Sequence, residues 1–515
     1  MTDTFHLLSE PNLQFGSEQQ ASDPHDGLAL FGPSEARANI PDHVVIGTPT
    51  GLKLWDEWVR SLNAPSACED PTRQRPWPPY PGFDVAFGSR WPAPLKRYTV
   101  DPETLDEFAR KADRYERAYS VANLYLDPIQ TQVPRLDAKP AIAVCVVPDN
   151  VHKNCRTKSY VADTSDELKT SSERSHLKSA LKDRQSGQSR FDFGEEPQDL
   201  EQYGLSPDFR RQLKARVMQY DIPVQIVRES TLDVTDQVRR GLKGVNPLSD
   251  RLWNIGTALF YKCGRKPWKT PWARDGVCYV GLAYRLSERS KRTACCAAQM
   301  FLDSGDGVVF VGEFGPWYSE ERKEFHLTRD AARDLLTGTI ETYMAQEGRE
   351  LKEIFLHARS GLNGEEFEGF SDACPDGVKL VGTRVRKDRF GPRLFRHDDH
   401  ADVTRRGMHP ILRGTFWQRT QRHGLLFTSG FKPRIATYDG WEIPVPLSIT
   451  IQHGEADLLQ VAEDILGLTK LNYNACQLGE SQPITVKYSD RIGEVLLANP
   501  ELPREQWRTN FKFYI

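Results

Sequence analysis

The chain has 515 residues, enough for about three domains, or for two with a long extra arm. Hydrophobic residues make up 38% and charged residues 27%, which supplies real cores and excludes disorder throughout. With 68 Lys and Arg against 71 Asp and Glu, the net charge of -3 gives no global attraction for nucleic acid or membrane, so a polyanion must be held by local patches.

The nine cysteines form no C-x-x-C pair. Adjacent Cys295 and Cys296 neither chelate zinc alone nor bridge easily, and are read as strand packing, which points to a reducing, cytoplasmic compartment. The first thirty residues lack a basic start followed by an apolar block, unlike a secretory signal. No stretch approaches the roughly 18 consecutive apolar residues of a membrane span.

From residue 1 to 137, Pro and Gly break the pattern (PWPPYPGFD at 76–84, RWPAPLKR at 90–97). We expect an arm with little core of its own, short strands and one helix over 103–124. A continuous apolar run at 141–147 (AIAVCVV) reads as a strand covered on both faces and opens an α/β domain over 138–272. Within it, residues 155–200 are polar and Ser-rich and read as a mobile insertion. A helix over 208–220, a strand at 224–227 and a further helix before Lys262 complete that unit.

From 273 to 515 the rhythm changes to three strands (278–285, 294–302, 307–314), a helix over 329–345 with Thr328 as N-cap, and a strand at 353–359. That order is the order of an RNase H-like sheet.

Basic residues concentrate between Arg251 and Met300, with ten Lys or Arg against two acids. Interleaved aromatic residues make Arg265, Lys266, Trp268, Lys269 and Arg285 a candidate nucleic-acid path. Further upstream, Arg210 and Lys214 lie four apart on the predicted helix and share a face. Gln225 follows the turn at Pro223, and Lys262 arrives from the next helix end. Several convergent donors of this kind suit a terminal phosphate. Elsewhere, His397 and His400 sit in a charged loop and read as solvated, and Gly305-Asp306-Gly307 reads as a hairpin turn.

The block from Arg210 to Lys262 resembles the MID domain of Argonaute proteins. DPHDGLALFGP (23–33), KPWK (266–269), ACCAAQMFLDSGDG (294–307), GPWY (315–318) and LTKLNYNAC (468–476) resemble segments of the short prokaryotic Argonautes. The resemblance implies a Rossmann-like MID domain and an RNase H-like PIWI domain behind an N-terminal arm. It implies that Arg210, Lys214, Gln225 and Lys262 grip a guide's 5'-phosphate. The terminal carboxylate of Ile515 would hold Mg²⁺ beside that phosphate.

Of the metal-binding tetrad that cuts nucleic acid in PIWI, two positions carry Ala283 and Ser360 in place of Asp. Asp490 matches the variable last position, and Glu320, Glu321 and Glu324 all lie in the region of the mobile Glu. The resemblance thus implies a binding PIWI without slicing. An active nuclease would need another ligand set, such as Asp306, Glu313 and Asp490. The implied partners are a 5'-phosphorylated guide RNA, a single-stranded target DNA, and a separate protein carrying an APAZ region fused to an effector. A TIR effector that consumes NAD⁺ is favoured over SIR2 or a nuclease, with oligomerisation on activation and a role in plasmid and phage defence. The rival class is a guide-free scaffold.

Overall fold

The computed structural model describes residues 3–35, 40–68, 76–161, 202–235, 246–286, 294–301, 307–346, 350–396, 409–438, 440 and 442–515. Most of the insertion expected at 155–200, together with Asp306, His397 and His400, lies outside the described residues.

Two sheets organise the chain. The smaller is parallel and runs Lys96–Thr99, His43–Gly47, Ile142–Val147, Val224–Arg228. Every residue of Ile142–Val147 is buried, as its unbroken apolar run requires of a strand covered on both faces. Helices Pro49–Leu62, Arg114–Thr131, Phe209–Val217 and Leu248–Lys262 clothe it.

The larger sheet has nine strands. Their order is Thr4–Leu7, Thr415–Gln418, His423–Leu426, Leu447–His453, Lys379–Lys387, Glu353–Ala358, Val277–Leu286, Ala294–Phe301, Gly307–Gly315. Its three leading strands, the Arg329–Gln346 helix, the Glu353–Ala358 strand and the Gly364–Ala373 helix follow the expected RNase H-like order. Thr328 Oγ1 accepts from the Ala331 amide at 3.3 Å, which caps that helix start.

The boundary expected at 137/138 is corrected. Two strands from the supposed arm, His43–Gly47 and Lys96–Thr99, are integral to the parallel sheet, so the first α/β unit begins near residue 42. His43–Gly47 is buried at all five positions, yet so short a run between Pro-containing loops carries no periodicity that separates strand from loop. The helix expected over 103–124 is two helices, Pro102–Arg110 and Arg114–Thr131, with Asp113 capping the second.

Residues before 42 do lean on another domain. Thr4–Leu7 adds an antiparallel strand to the edge of the large sheet. Behind it, Glu10 meets Arg413 at 2.8 Å and Lys470 at 2.7 Å, both fully buried. One hydrophobic core runs continuously from Leu8 and Leu13 through Trp253 and Trp268 to Ile515, so the two sheets are not separated by a linker.

Candidate nucleic-acid interface

Asp208 caps the Phe209–Val217 helix by accepting from the Arg210 and Arg211 amides. Phe209, Leu213 and Val217 are buried and fix the helix against the sheet, which leaves Arg210 and Lys214 as a stripe on another face. The chain then turns through Asp221, at φ 55°, and enters Val224–Arg228, where Gln225 pairs opposite Val144. Lys262 ends the Leu248–Lys262 helix at 2% exposure. Its Nζ donates to the Val224 carbonyl at 2.9 Å.

The structure brings the three cations within electrostatic reach of one another, with Gln225 next in sequence to Val224, whose carbonyl Lys262 contacts. Among the described residues no carboxylate forms an ion pair with Arg210, Lys214 or Lys262. Burial, with the Arg210 charge adding, pulls the Lys262 ammonium down to about 7. Burial pushes Lys214 well below the usual lysine range, and the charges of Lys262, Arg210 and Arg491 push the same way. Arg210 is lowered first by burial, with Asp208 opposing and Arg491, Arg156 and Arg228 adding, although its side chain reaches solvent at the rim. Buried like charges that repel each other are costly, and an anion bound among them would relieve the cost. Gln225 Oε1, on the adjoining strand, is buried without a hydrogen-bond donor.

The C-terminal tail is part of this cluster. Lys214 Nζ donates to the Tyr514 carbonyl at 3.4 Å, and Tyr514 OH donates to the Arg508 carbonyl at 2.8 Å. Phe511 sets its ring edge-on against Phe301 and Tyr488, each with centroids 5.3 Å apart. Ile515 is 3% exposed. The FKFYI ending therefore packs as core.

Sequence reasoning missed Arg491, which acts on both Lys214 and Arg210 from the Ser489–Leu496 helix. It also missed a rim of Arg156, Arg228 and His152 around Arg210. Arg491 carries no local signal, because it reaches the pocket only through the fold.

The basic path is corrected in part. Trp268 is fully buried, donates to the Lys470 carbonyl at 3.2 Å and packs on Tyr473, so it offers no stacking face to a base. Arg265 is buried too. Lys266 is 3.7 Å from Glu35, Lys269 pairs through its backbone with Gln14, and Arg285 is 3.3 Å from Glu494. A basic stretch of sequence does not say which side chains point out.

Of the positions the resemblance assigns to the tetrad, Ala283 is buried in Val277–Leu286 opposite Ala297, and Ser360 follows the end of Glu353–Ala358. Asp490 is ion-paired with Arg359. Glu324 lies 3.3 Å from His326, whose other ring nitrogen is 3.4 Å from buried Glu366. Glu320 and Glu321 are exposed, and the Glu313 side chain lies outside the described residues.

Solved structures with this arrangement exist. The Argonaute of Clostridium butyricum, bound to a guide DNA and a 19-mer target DNA, superposes with a TM-score of 0.57 at 13% identity, over 100% of this chain and 55% of that one. The fold is that of an Argonaute. A structure of A. aeolicus Argonaute gives a TM-score of 0.54 at 15% identity, covering 95% of this chain and 53% of that one. Aa-Ago with externally bound siRNA matches equally well, at 14% identity. The chain thus spans about half the length of the Argonautes it matches. No family model matches it, and neither does any curated protein. Among the described residues, no helix is long and apolar enough to cross a membrane.

Proposed function

We propose that the chain holds the 5'-phosphorylated end of a short guide strand and pairs that guide with a complementary target without cutting it. The carrying observation is the cluster of Lys262, Lys214 and Arg210, buried to different depths, with no carboxylate in an ion pair with any of them among the described residues. The most buried cation forms the floor and the most exposed the rim, a gradient that suits a phosphate entering end-on. Gln225 Oε1, an orphaned oxygen, and the terminal carboxylate of Ile515 are hard donors that fit Mg²⁺; bound there, the ion would neutralise charge between phosphate and tail.

Loss of cleavage follows from chemistry. Two-metal cutting needs charged oxygens at fixed strand positions, and neither the Ala283 methyl nor the Ser360 hydroxyl supplies one. Base pairing would then read sequence while the protein holds backbone and helix shape. In the full reading the guide is RNA and the target single-stranded DNA of plasmid or phage. An APAZ-effector protein, TIR in the first instance, supplies the missing half of the assembly and the catalytic output.

The test is binding of 5'-phosphate and 5'-hydroxyl oligonucleotides to the full chain. Lys214→Ala and Lys262→Ala should each weaken the phosphorylated strand by about tenfold to a hundredfold, as loss of a charged hydrogen bond does, and bring the two strands towards equal affinity. Unchanged affinity together with unchanged phosphate preference would remove the pocket assignment.

A further inference from the structure

A second group of charges stands where the two tetrad carboxylates are missing. Glu353–Ala358 runs parallel to Val277–Leu286 with His357 opposite Gly281. Two residues further on, Arg359 leaves the sheet at the level of Ala283. On the other side, Ala358 pairs with Arg384, whose Nε reaches the Arg359 carbonyl at 3.5 Å. The Ser489–Leu496 helix lies across Val277–Leu286, with Gly493 against the Arg285 side chain, and delivers Asp490 to Arg359.

The balance of charge there is unlike that of a metal centre. Arg359 is exposed and Arg384 half-buried, Asp490 is already engaged, and Arg384 feels Arg386 as well as the acid Glu324. The Arg359 and Asp490 side chains are 48% and 47% exposed, and an ion pair so open to water is held weakly. A guanidinium also fits two phosphate oxygens as well as it fits a carboxylate. Exchanging Asp490 for a phosphate therefore costs little.

We propose that the vacated cutting centre has become a guanidinium clamp, in which Arg359 leaves Asp490 and takes a backbone phosphodiester of the nucleic acid lying along the large sheet. The aspartate acts as a parking place that the arriving phosphate must displace. This inference rests on the reading of the chain as a nucleic-acid binder, but uses none of the residues of the 5'-phosphate pocket.

The experiment measures binding of a 5'-phosphorylated guide, and then of complementary single-stranded DNA to the guide-loaded chain, over a range of salt concentrations. Arg359→Ala and Arg359→Gln should weaken binding about tenfold and lower the slope of log affinity against log salt by about one, the signature of one lost phosphate contact. Asp490→Asn should strengthen binding several-fold, and that gain should vanish in the Arg359→Ala/Asp490→Asn double variant. A loss already present with guide alone assigns the clamp to the guide backbone, and one that appears only with target assigns it to the target strand. An unchanged salt slope in both Arg359 variants, with no gain from Asp490→Asn, overturns the clamp. The preference for a 5'-phosphate, measured in the same samples, should persist in the Arg359 variants. Its absence in the unmodified chain would instead count against the pocket.

Discussion

Lys262 sets the behaviour of the pocket with pH. Burial, reinforced by Arg210, brings its ammonium down to about 7, whereas in an unfolded chain it titrates near about 10.4. Between those values the unfolded state holds a proton the folded state has lost, so this group makes stability rise with pH across that window. Below about 7 the charged form is present and its cost is fully felt. A bound phosphate reverses the situation by favouring the charged form. The phosphate preference should therefore be strongest below about pH 7 and decline by up to about tenfold per unit above it. Titrations of 5'-phosphate and 5'-hydroxyl strands from about pH 6.5 to 8.5 check this; a ratio that rises with pH contradicts it. At this scale the sequence was informative where neighbours in sequence are neighbours in space. That Arg210 and Lys214 share a helix face was legible from helical spacing, and that Gln225 lies at the start of a strand from the turn before it. Arg491 and the burial of Trp268 depend on contacts between distant segments, which no local pattern carries.

The helix-and-sheet contacts around Val277–Leu286 tie the cation cluster to the Arg359–Asp490 pair. Ser489–Leu496 presents Asp490 to Arg359, Arg491 to the phosphate cluster, and Glu494 to both Arg211 at 2.8 Å and Arg285 at 3.3 Å. One helix thus touches both halves of the site. Close packing is what keeps it there. Gly281 lies so near the Thr485 backbone that an added Cβ would collide with its carbonyl, and the Ile484–Lys487 turn leads directly into that helix. Gly281→Ala should cost about 1–3 kcal/mol through overpacking and weaken guide and target binding together. A denaturation midpoint equal to that of the parent chain would show that the turn can yield. Four strands of the large sheet, Val277–Leu286, Ala294–Phe301, Gly307–Gly315 and Glu353–Ala358, were legible as apolar runs with clear turns between them. Its other five strands among the described residues and His43–Gly47 were not, because their place comes from sheet neighbours distant in sequence.

Over the whole molecule, the N-terminal residues and the C-terminal domain are locked by charges placed deep inside. Glu10 is held below the usual carboxylate range by Arg413 and Lys470, against the opposing effect of its own burial. Lys470 is pulled down to about 8 by burial even with Glu10 beside it. Removing one partner of such a group strands the others, so Glu10→Ala should destabilise the chain by about 3–5 kcal/mol. The shift in urea midpoint measures it, and a shift under about 1 kcal/mol would mean that water reaches the site. The order of the two sheet units was readable from the rhythm of strands and helices. The division at residue 137 was misplaced because a sheet may recruit strands across any stretch of loop.

Thr4–Leu7 finds its partner in Thr415–Gln418, so this strand has nowhere to bind until a ribosome has made all the residues that lie between the two. The outermost seam of the sheet can close only after that. Until then the nascent protein carries Glu10 in water, and the two cations it will neutralise have no buried home to enter.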